Sequence, residues 1–348
     1  IICMQSKQVI GGEFDVDIQG LQYHYCGNHS LDGIFTYSSG RSALYYILLD
    51  IKQRYGVSKI YLPDYLCSSV VTTAEKIQMQ VVFYNINDNL EINVNTFQLQ
   101  EQEKAVVLII NYFGLKDLES QINTVRTISK DAIIIEDDVQ AFYEFHKPTM
   151  LADYKFTSLR KTFACPDGGL VKSCNELKVV EETNKFYQYK MAASILKSIR
   201  KPEYYDDEVY LHLFEKGEGL IDDEIEKGMS DISKESFLKT DIERKSYIRQ
   251  RNAKQIVEGL KSLNIDTIIP VSESSTPLFI PVWLKDRDKV RKQMFRHQIF
   301  CPVHWPLEGM SIRKGAEMAE HEMSIIIDQR YTNMEMTRIL ETLEKAIK

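Results

Sequence analysis

The run Ile133-Ile134-Ile135-Glu136-Asp137-Asp138-Val139-Gln140-Ala141 places carboxylates at the end of an apolar stretch. Such a run reads as a buried strand that delivers acid groups to its carboxyl end, where open α/β sheets bind ligands. Ser158-Leu159-Arg160-Lys161 and Pro166-Asp167-Gly168-Gly169 follow downstream. A buried acid near a lysine is what pyridoxal 5'-phosphate (PLP) chemistry requires: Asp137 to keep the ring nitrogen protonated, Lys161 to form the Schiff base. Glu136 and Asp138 should point to the opposite face. Lys161 falls on a loop constrained by Pro166, Gly168 and Gly169. Beside Arg160, in a partly desolvated cleft, its pKa should fall and supply a free amine.

PLP also needs a phosphate anchor. Ser38-Ser39-Gly40-Arg41-Ser42 leads into a helical pattern, and the free N–H groups and dipole of a helix start favour an anion. Gly40 permits close backbone approach and Ser42 adds a hydroxyl. Taken alone, a Ser-Gly pair before a helix is more often only a cap. Paired carboxylates after a strand also suit magnesium, but the sequence has no second acidic strand end and no Gly-x-x-x-x-Gly-Lys-Ser/Thr loop. Gly11-Gly12-Glu13-Phe14 resembles a cyclic-dinucleotide synthase signature without its strand scaffold, and reads as a turn.

The elements that must position these residues follow from periodicity. Leu44, Ile47, Leu48 and Ile51 recur at helical spacing before Gly56. Lys59 to Leu62, Gln80 to Tyr84, Ala105 to Ile110 and Ala132 to Ile135 are apolar runs separated by helix-length segments, the signature of βαβ units in a mostly parallel sheet with right-handed crossovers. Tyr154 to Ser158 and Gly169 to Lys172 read as two more strands. From about Asn175 to Lys239 the chain is charged and tyrosine-rich, and a long helical pattern starts at Thr240. Leu278 to Leu284 reads as a strand, Asp286 to His297 as a helix begun at an Asp cap, and Phe300 to Val303 as a second strand. Thr332-x-x-Glu335 opens the last helix with a capping box. The expected fold class is α/β: a large domain, 1–239, with a mostly parallel central sheet flanked by helices, and a small C-terminal α+β domain, 240–348.

At 348 residues and 44% hydrophobic content the chain can build one large core and a smaller one. A net charge of -7 leaves no basic excess for nucleic acid or an anionic membrane, and no apolar run approaches a bilayer span. With no signal-like segment near Ile1, the expected location is cytoplasmic. The six cysteines and seven histidines form no metal-ligand spacing, so reduced thiols and no metal site are expected.

The ordered set Ile10-Gly11-Gly12-x-Phe14, Ser39-Gly40-Arg41-Ser42-Ala43-Leu44, Leu62-Pro63-Asp64-Tyr65, Asn111-Tyr112-Phe113-Gly114, Ile135 to Ala141 and the Lys161 to Gly169 loop resembles the DegT-type sugar aminotransferases, fold-type-I PLP enzymes. Arg287-Asp288, His304-Trp305-Pro306 and Asp328-Gln329-Arg330-Tyr331 resemble that family's small domain. The resemblance implies that Lys161 is the Schiff-base lysine and proton carrier, Asp137 the partner of the pyridine nitrogen, and Gln140 a donor to the ring hydroxyl. It implies that Gly40, Arg41 and Ser42 bind phosphate together with Thr157 or Ser158. It also implies a homodimer with its active site at the subunit interface, and transfer of an amino group from a donor such as glutamate to a keto-sugar or similar carbonyl. Dehydration or another elimination on the same anchors is the alternative, although related dehydratases carry histidine in place of the lysine. A degenerate, non-catalytic binding protein is a third reading.

Three departures bear on those roles. Where the family places an aromatic ring over the cofactor this chain has Cys67, so either Tyr65 stacks on the ring or a thiol packs there. The Lys161 to Gly168 loop reads about one residue short. Met229-Ser230-Asp231-Ile232-Ser233 stands where the family's Asn-x-Arg element is expected to reach over from the partner subunit.

Overall fold

The computed structural model describes residues 8–16, 29–199, 207–306 and 314–348. Its centre is a seven-stranded sheet in the order β2-β8-β7-β6-β5-β3-β4. The strands are β2 (Phe35–Tyr37), β3 (Lys59–Pro63), β4 (Gln80–Tyr84), β5 (Val106–Ile110), β6 (Ile133–Asp137), β7 (Tyr154–Ser158) and β8 (Gly169–Ser173). β4, β3, β5, β6 and β7 run parallel, while β8 is antiparallel to both β7 and β2. β5, β6 and β7 are buried along their whole length, which is why β5 and the Ile133 to Ile135 stretch of β6 read as unbroken apolar runs rather than alternating ones.

Helix α1 (Gly40–Tyr55) follows β2. The Ser39 hydroxyl caps it by accepting the Ser42 N–H, and Gly56 ends it in the left-handed conformation at φ 65°. Leu44, Ile47, Leu48 and Ile51 lie on its buried face and join the core around Val107, Ile134 and Ile135. The helix starts at Gly40, four residues before Leu44 opens the apolar pattern, with Gly40 and Arg41 in its first turn.

A second core surrounds helix α9 (Ile242–Ser262), strands β9 (Phe279–Trp283) and β11 (Glu322–Ile326), and the last helix, α12 (Asn333–Ile347). The Thr332 and Glu335 side chains complete the capping box in front of α12. Strand β11 has no counterpart in the sequence reading; it pairs antiparallel with β9. The Asp286 carboxyl does not cap helix α10 (Arg287–Arg296). The strand expected over Phe300 to Val303 is β10 (Ile299–Phe300), and it pairs with β1 (Ile10–Gly11). Cys67, Cys165, Cys174 and Cys301 are free thiols, and Cys3 and Cys26 lie outside the described residues. Among the described residues no helix is long and apolar enough to cross a membrane.

The loop after Lys161 is tied to the body by Asp167, which is fully buried. It accepts from the Ser230 N–H at 2.7 Å, the Ser230 hydroxyl at 2.6 Å, Asn184 Nδ2 at 2.5 Å and the Ser233 hydroxyl. Ser230 also caps α8 (Asp231–Leu238), and Met229 packs against Gly168. The Met229 to Ser233 segment therefore shapes the lysine loop of its own chain. Replacing Asp167 by alanine strands several buried donors, and urea unfolding should show a loss of roughly 3 kcal/mol or more.

Candidate active site

The carboxyl ends of β5, β6 and β7 open into a cavity of about 620 Å³ lined by Ile110, Asp137, Phe156 and Ser158 from the sheet, and by His304 and Arg330 from the second core's side. Lys161 lines this cavity, where its surface meets solvent inside the enclosing walls. It follows β7 on the short helix α5 (Leu159–Thr162). Arg160 beside it and burial together lower its pKa, against the pull of Glu13, Glu218 and Cys67. No hydrogen bond or ion pair joins its amine to another described residue.

Asp137 is 5% exposed. Its Oδ1 accepts the Val139 N–H at 2.9 Å, and burial pushes the carboxyl up to about 7 despite that bond. The pleat of β6 sends its neighbours the other way. Glu136 and Asp138 lie 3.0 and 3.3 Å from the buried Lys155 ammonium, so the Glu-Asp-Asp run divides into one acid for the cavity and two for a buried ion pair.

At the start of α1, Ser39, Gly40 and Arg41 line the cavity, and Ser158 lines it beside Gly40. A Cβ on Gly40 would stand 3.3 Å from the Ser158 Cβ and 3.4 Å from Val139 Cγ2. The Gly168-Gly169 pair explains itself here. The Gly168 N–H donates to the Ser38 carbonyl at 2.8 Å, and its carbonyl accepts the Leu159 N–H at 2.9 Å. A Cβ on Gly169 would sit 2.0 Å from the Ser39 carbonyl oxygen. These glycines therefore hold the helix start and the lysine turn side by side.

Gln140 lines the cavity, and its Oε1 accepts the Phe113 N–H at 2.9 Å, which leaves its amide NH₂ without a partner among the described residues. Cys67 is on the cavity wall, and its sulfur accepts the Ser69 hydroxyl at 3.1 Å. Three predicted residues are placed elsewhere. Tyr65 is buried away from the cavity, stacked on Tyr112 at 5.5 Å, with its hydroxyl donating to the His304 carbonyl; of Tyr65 and Cys67, the thiol is the one on the wall. Thr157 turns to the Asp138 carbonyl at 2.7 Å, so Ser158 is the hydroxyl of that pair in the cavity. The Ser42 hydroxyl donates to the Lys227 carbonyl at 3.3 Å, and Ser42 meets the site only through its backbone bond to Ser39.

The Arg41 guanidinium is engaged by Asp222 at 3.0 Å and Glu218 at 3.2 Å. Glu218 also holds Arg160 at 3.1 Å and Lys190 at 2.6 Å. Burial works against its charge, but Arg160 and Lys190 overcome this and keep its carboxyl far below the ordinary range.

Several cavity residues had no site role in the sequence reading. Gly11-Gly12-Glu13-Phe14 is more than a turn, since all four residues line the cavity. Pairing of β1 with β10 brings them there, the Gly11 N–H donates to the Tyr331 hydroxyl at 2.7 Å, and Arg330 lies over the Phe14 ring at 4.3 Å. His304, Asp328 and Arg330 also line it. Their only signal in the sequence was membership of two short motifs, without a role attached.

No family model matches the sequence, and no curated protein matches it. Similar solved structures do exist. A protein from Streptococcus pneumoniae described as a sugar aminotransferase, in its PLP form, superposes with a TM-score of 0.67 at 14% identity, covering 98% of this chain and 99% of its own. A DegT DnrJ EryC1 StrS aminotransferase from Brucella abortus gives a TM-score of 0.58 at 13% identity, covering 90% and 85%. The E. coli GDP-4-keto-6-deoxy-D-mannose-3-dehydratase with bound hydrated PLP gives 0.60 at 14% identity, covering 89% and 87%. The first of these spans nearly the whole chain, central sheet and second core alike: the protein has the fold of the fold-type-I PLP enzymes.

Proposed function

We propose that this protein is a PLP-dependent aminotransferase that moves an amino group from an amino acid donor, glutamate in the simplest case, to a keto-sugar or similar carbonyl acceptor. The observation that carries the reading is a lysine of lowered pKa, without a partner among the described residues, opening into the same cavity as a buried aspartate and the start of a helix.

The residues present suit the cofactor. Asp137 is buried with no cation paired to it among the described residues, which a cationic ring nitrogen would supply. The Gly40 and Arg41 N–H groups and the Ser158 hydroxyl suit a phosphate dianion, and the Gln140 NH₂ suits a ring oxygen. When bound, PLP would supply an electrophilic carbon for amines and a cationic ring that accepts electron density. Lys161 would hold the cofactor covalently, then take the donor's α-proton and return it on the other side of the transfer. Asp137 would hold the proton on the ring nitrogen throughout, and the Phe113 N–H would keep Gln140 oriented. A homodimer, a cytoplasmic location and a division into domains at about residue 240 belong to the same reading.

Visible spectroscopy with added PLP, borohydride reduction and peptide mapping test it. The expected result is a single pyridoxyl mass on Lys161, followed by glutamate-dependent bleaching of the band. Label spread over surface lysines would defeat the reading, and steady release of a keto product without an acceptor would favour elimination over transfer. Because a methyl at Gly169 pushes on the Ser39 carbonyl, at an overpacking cost of about 1–3 kcal/mol, Gly169→Ala should weaken PLP binding by roughly 10- to 100-fold. Fluorescence titration would measure it.

A further inference from the structure

His304 reaches the cavity from the second core's side, its ring packed by Phe113 at 5.7 Å and Phe279 at 5.2 Å. Its Nδ1 is 2.7 Å from the Ser324 hydroxyl, and that hydroxyl is 2.6 Å from Glu322 Oε1. The other Glu322 oxygen accepts the backbone N–H of His304 at 2.7 Å. Glu322 and Ser324 are fully buried. With Nδ1 turned to Ser324, Nε2 is the ring nitrogen left for the cavity.

Counting protons makes this chain a two-state device. A backbone N–H can only donate, so Glu322 Oε2 is an acceptor, and any proton on the carboxyl must sit on Oε1. The Ser324 hydroxyl has one proton and two short contacts. When Glu322 is ionised, that proton points to Oε1, and the contact with His304 requires a proton on Nδ1, leaving Nε2 bare. When Glu322 is protonated, Oε1 donates to Ser324, Ser324 donates to Nδ1, and Nε2 carries the proton. The charge of Glu322 and the tautomer of His304 are one variable.

We infer that His304, Ser324 and Glu322 form a proton relay whose mouth is His304 Nε2, accepting a proton from an ammonium group in the cavity and storing it on Glu322. As the ammonium N–H bond breaks, Nε2 gains its proton, the Nδ1 proton passes to Ser324 Oγ, and the Ser324 proton passes to Glu322 Oε1. The amine is left neutral, the imidazole stays neutral, and the carboxylate becomes a carboxylic acid. Naming the ammonium as that of Lys161 or of an amino donor rests on the proposed function; the hydrogen-bond chain does not.

The energetics suit a relay. Burial pushes Glu322 up to about 8, so its two states are close in free energy near neutral pH. Burial and the Lys161 charge push the imidazole down to about 3, so it passes protons as a neutral ring. The other charged and titratable neighbours do not compete. Arg287 donates to the Glu322 carbonyl at 2.7 Å, Arg291 donates to the Cys301 carbonyl at 2.9 Å, burial pushes the Cys301 thiol up to about 12, and Tyr65 is held protonated by burial with its hydroxyl on the His304 carbonyl.

Imidazole ¹⁵N NMR of the apoprotein tests the relay, with His304 assigned by loss of its signal in His304→Gln. The expected result is a neutral ring that changes from the Nε2–H to the Nδ1–H tautomer as pH rises through the titration of Glu322. In Glu322→Gln the amide must donate to Ser324, so the ring should stay Nε2–H at every pH. In Ser324→Ala the tautomer should lose its pH dependence. Lys161→Ala should shift the Nε2 resonance and leave Nδ1 nearly unchanged. A wild-type tautomer that ignores pH, an imidazolium between pH 6 and 9, or a Glu322→Gln ring that still switches would overturn the relay. Since no cofactor is added, this outcome is independent of whether PLP labels Lys161.

Discussion

Lys161→Ala abolishes reducible attachment of PLP while leaving the fold intact. The side chain makes no hydrogen bond to another described residue, is exposed in the cavity and stands beside Arg160, so its loss should change unfolding free energy by no more than about 0.5 kcal/mol. Mass spectrometry after borohydride should find no site-specific pyridoxyl group, and exchange of the donor's α-proton should fall by roughly 10²–10⁴-fold, the range for loss of a positioned acid–base group. Wild-type labelling at another lysine would move the assignment elsewhere. A variant that unfolds would mean that Lys161 has a packing role its surroundings do not reveal.

The second large effect is at Asp137. Asp137→Asn keeps the shape and the bond from the Val139 N–H but removes the negative charge, so PLP should still bind while α-proton exchange drops roughly 10²–10³-fold, the range for losing one preorganised electrostatic partner. Near-normal exchange would remove Asp137 from its role. Stability should respond in the opposite sense. In the apoprotein the folded-state pKa of about 7 lies above the unfolded value, near 3.9. A carboxyl raised in this way favours the fold in its protonated form, so its penalty is absent below pH 4, grows between pH 4 and 7, and levels off above. Urea unfolding should find Asp137→Asn more stable than wild type at pH 8 and nearly equal to it at pH 4. Added PLP should narrow the difference at pH 8, because the ring nitrogen pairs with the carboxylate.

Much of the scaffold was legible before any coordinates. The α1 stripe of Leu44, Ile47, Leu48 and Ile51, the apolar strands β5 and β6, and the Thr332 capping box are local patterns, and local patterns follow from backbone geometry within a few residues. Asp137 and Lys161 were legible for a related reason: each ends or closely follows a buried strand, and strand ends in such sheets converge on one edge.

What the sequence could not supply was the direction of single side chains and the far wall of the cavity. Thr157 and Ser158 are adjacent, and the strand's period of two alone decides which one meets the cavity; a reading uncertain by one residue cannot choose. Tyr65 and Ser42 are spent on the His304 and Lys227 carbonyls, partners about 240 and 185 residues away along the chain. Glu13, His304, Glu322 and Arg330 carry no periodic signal as a group; Arg330 meets the Glu13 carbonyl where β1 pairs with β10, and the His304 N–H meets Glu322 on β11, which pairs with β9. The sequence by itself determined most strands of the central sheet, the helices with a clear apolar stripe or cap, and the placing of Asp137 and Lys161 at strand ends. Only the tertiary structure decided which neighbours share their cavity, because those contacts are set by packing between segments hundreds of residues apart.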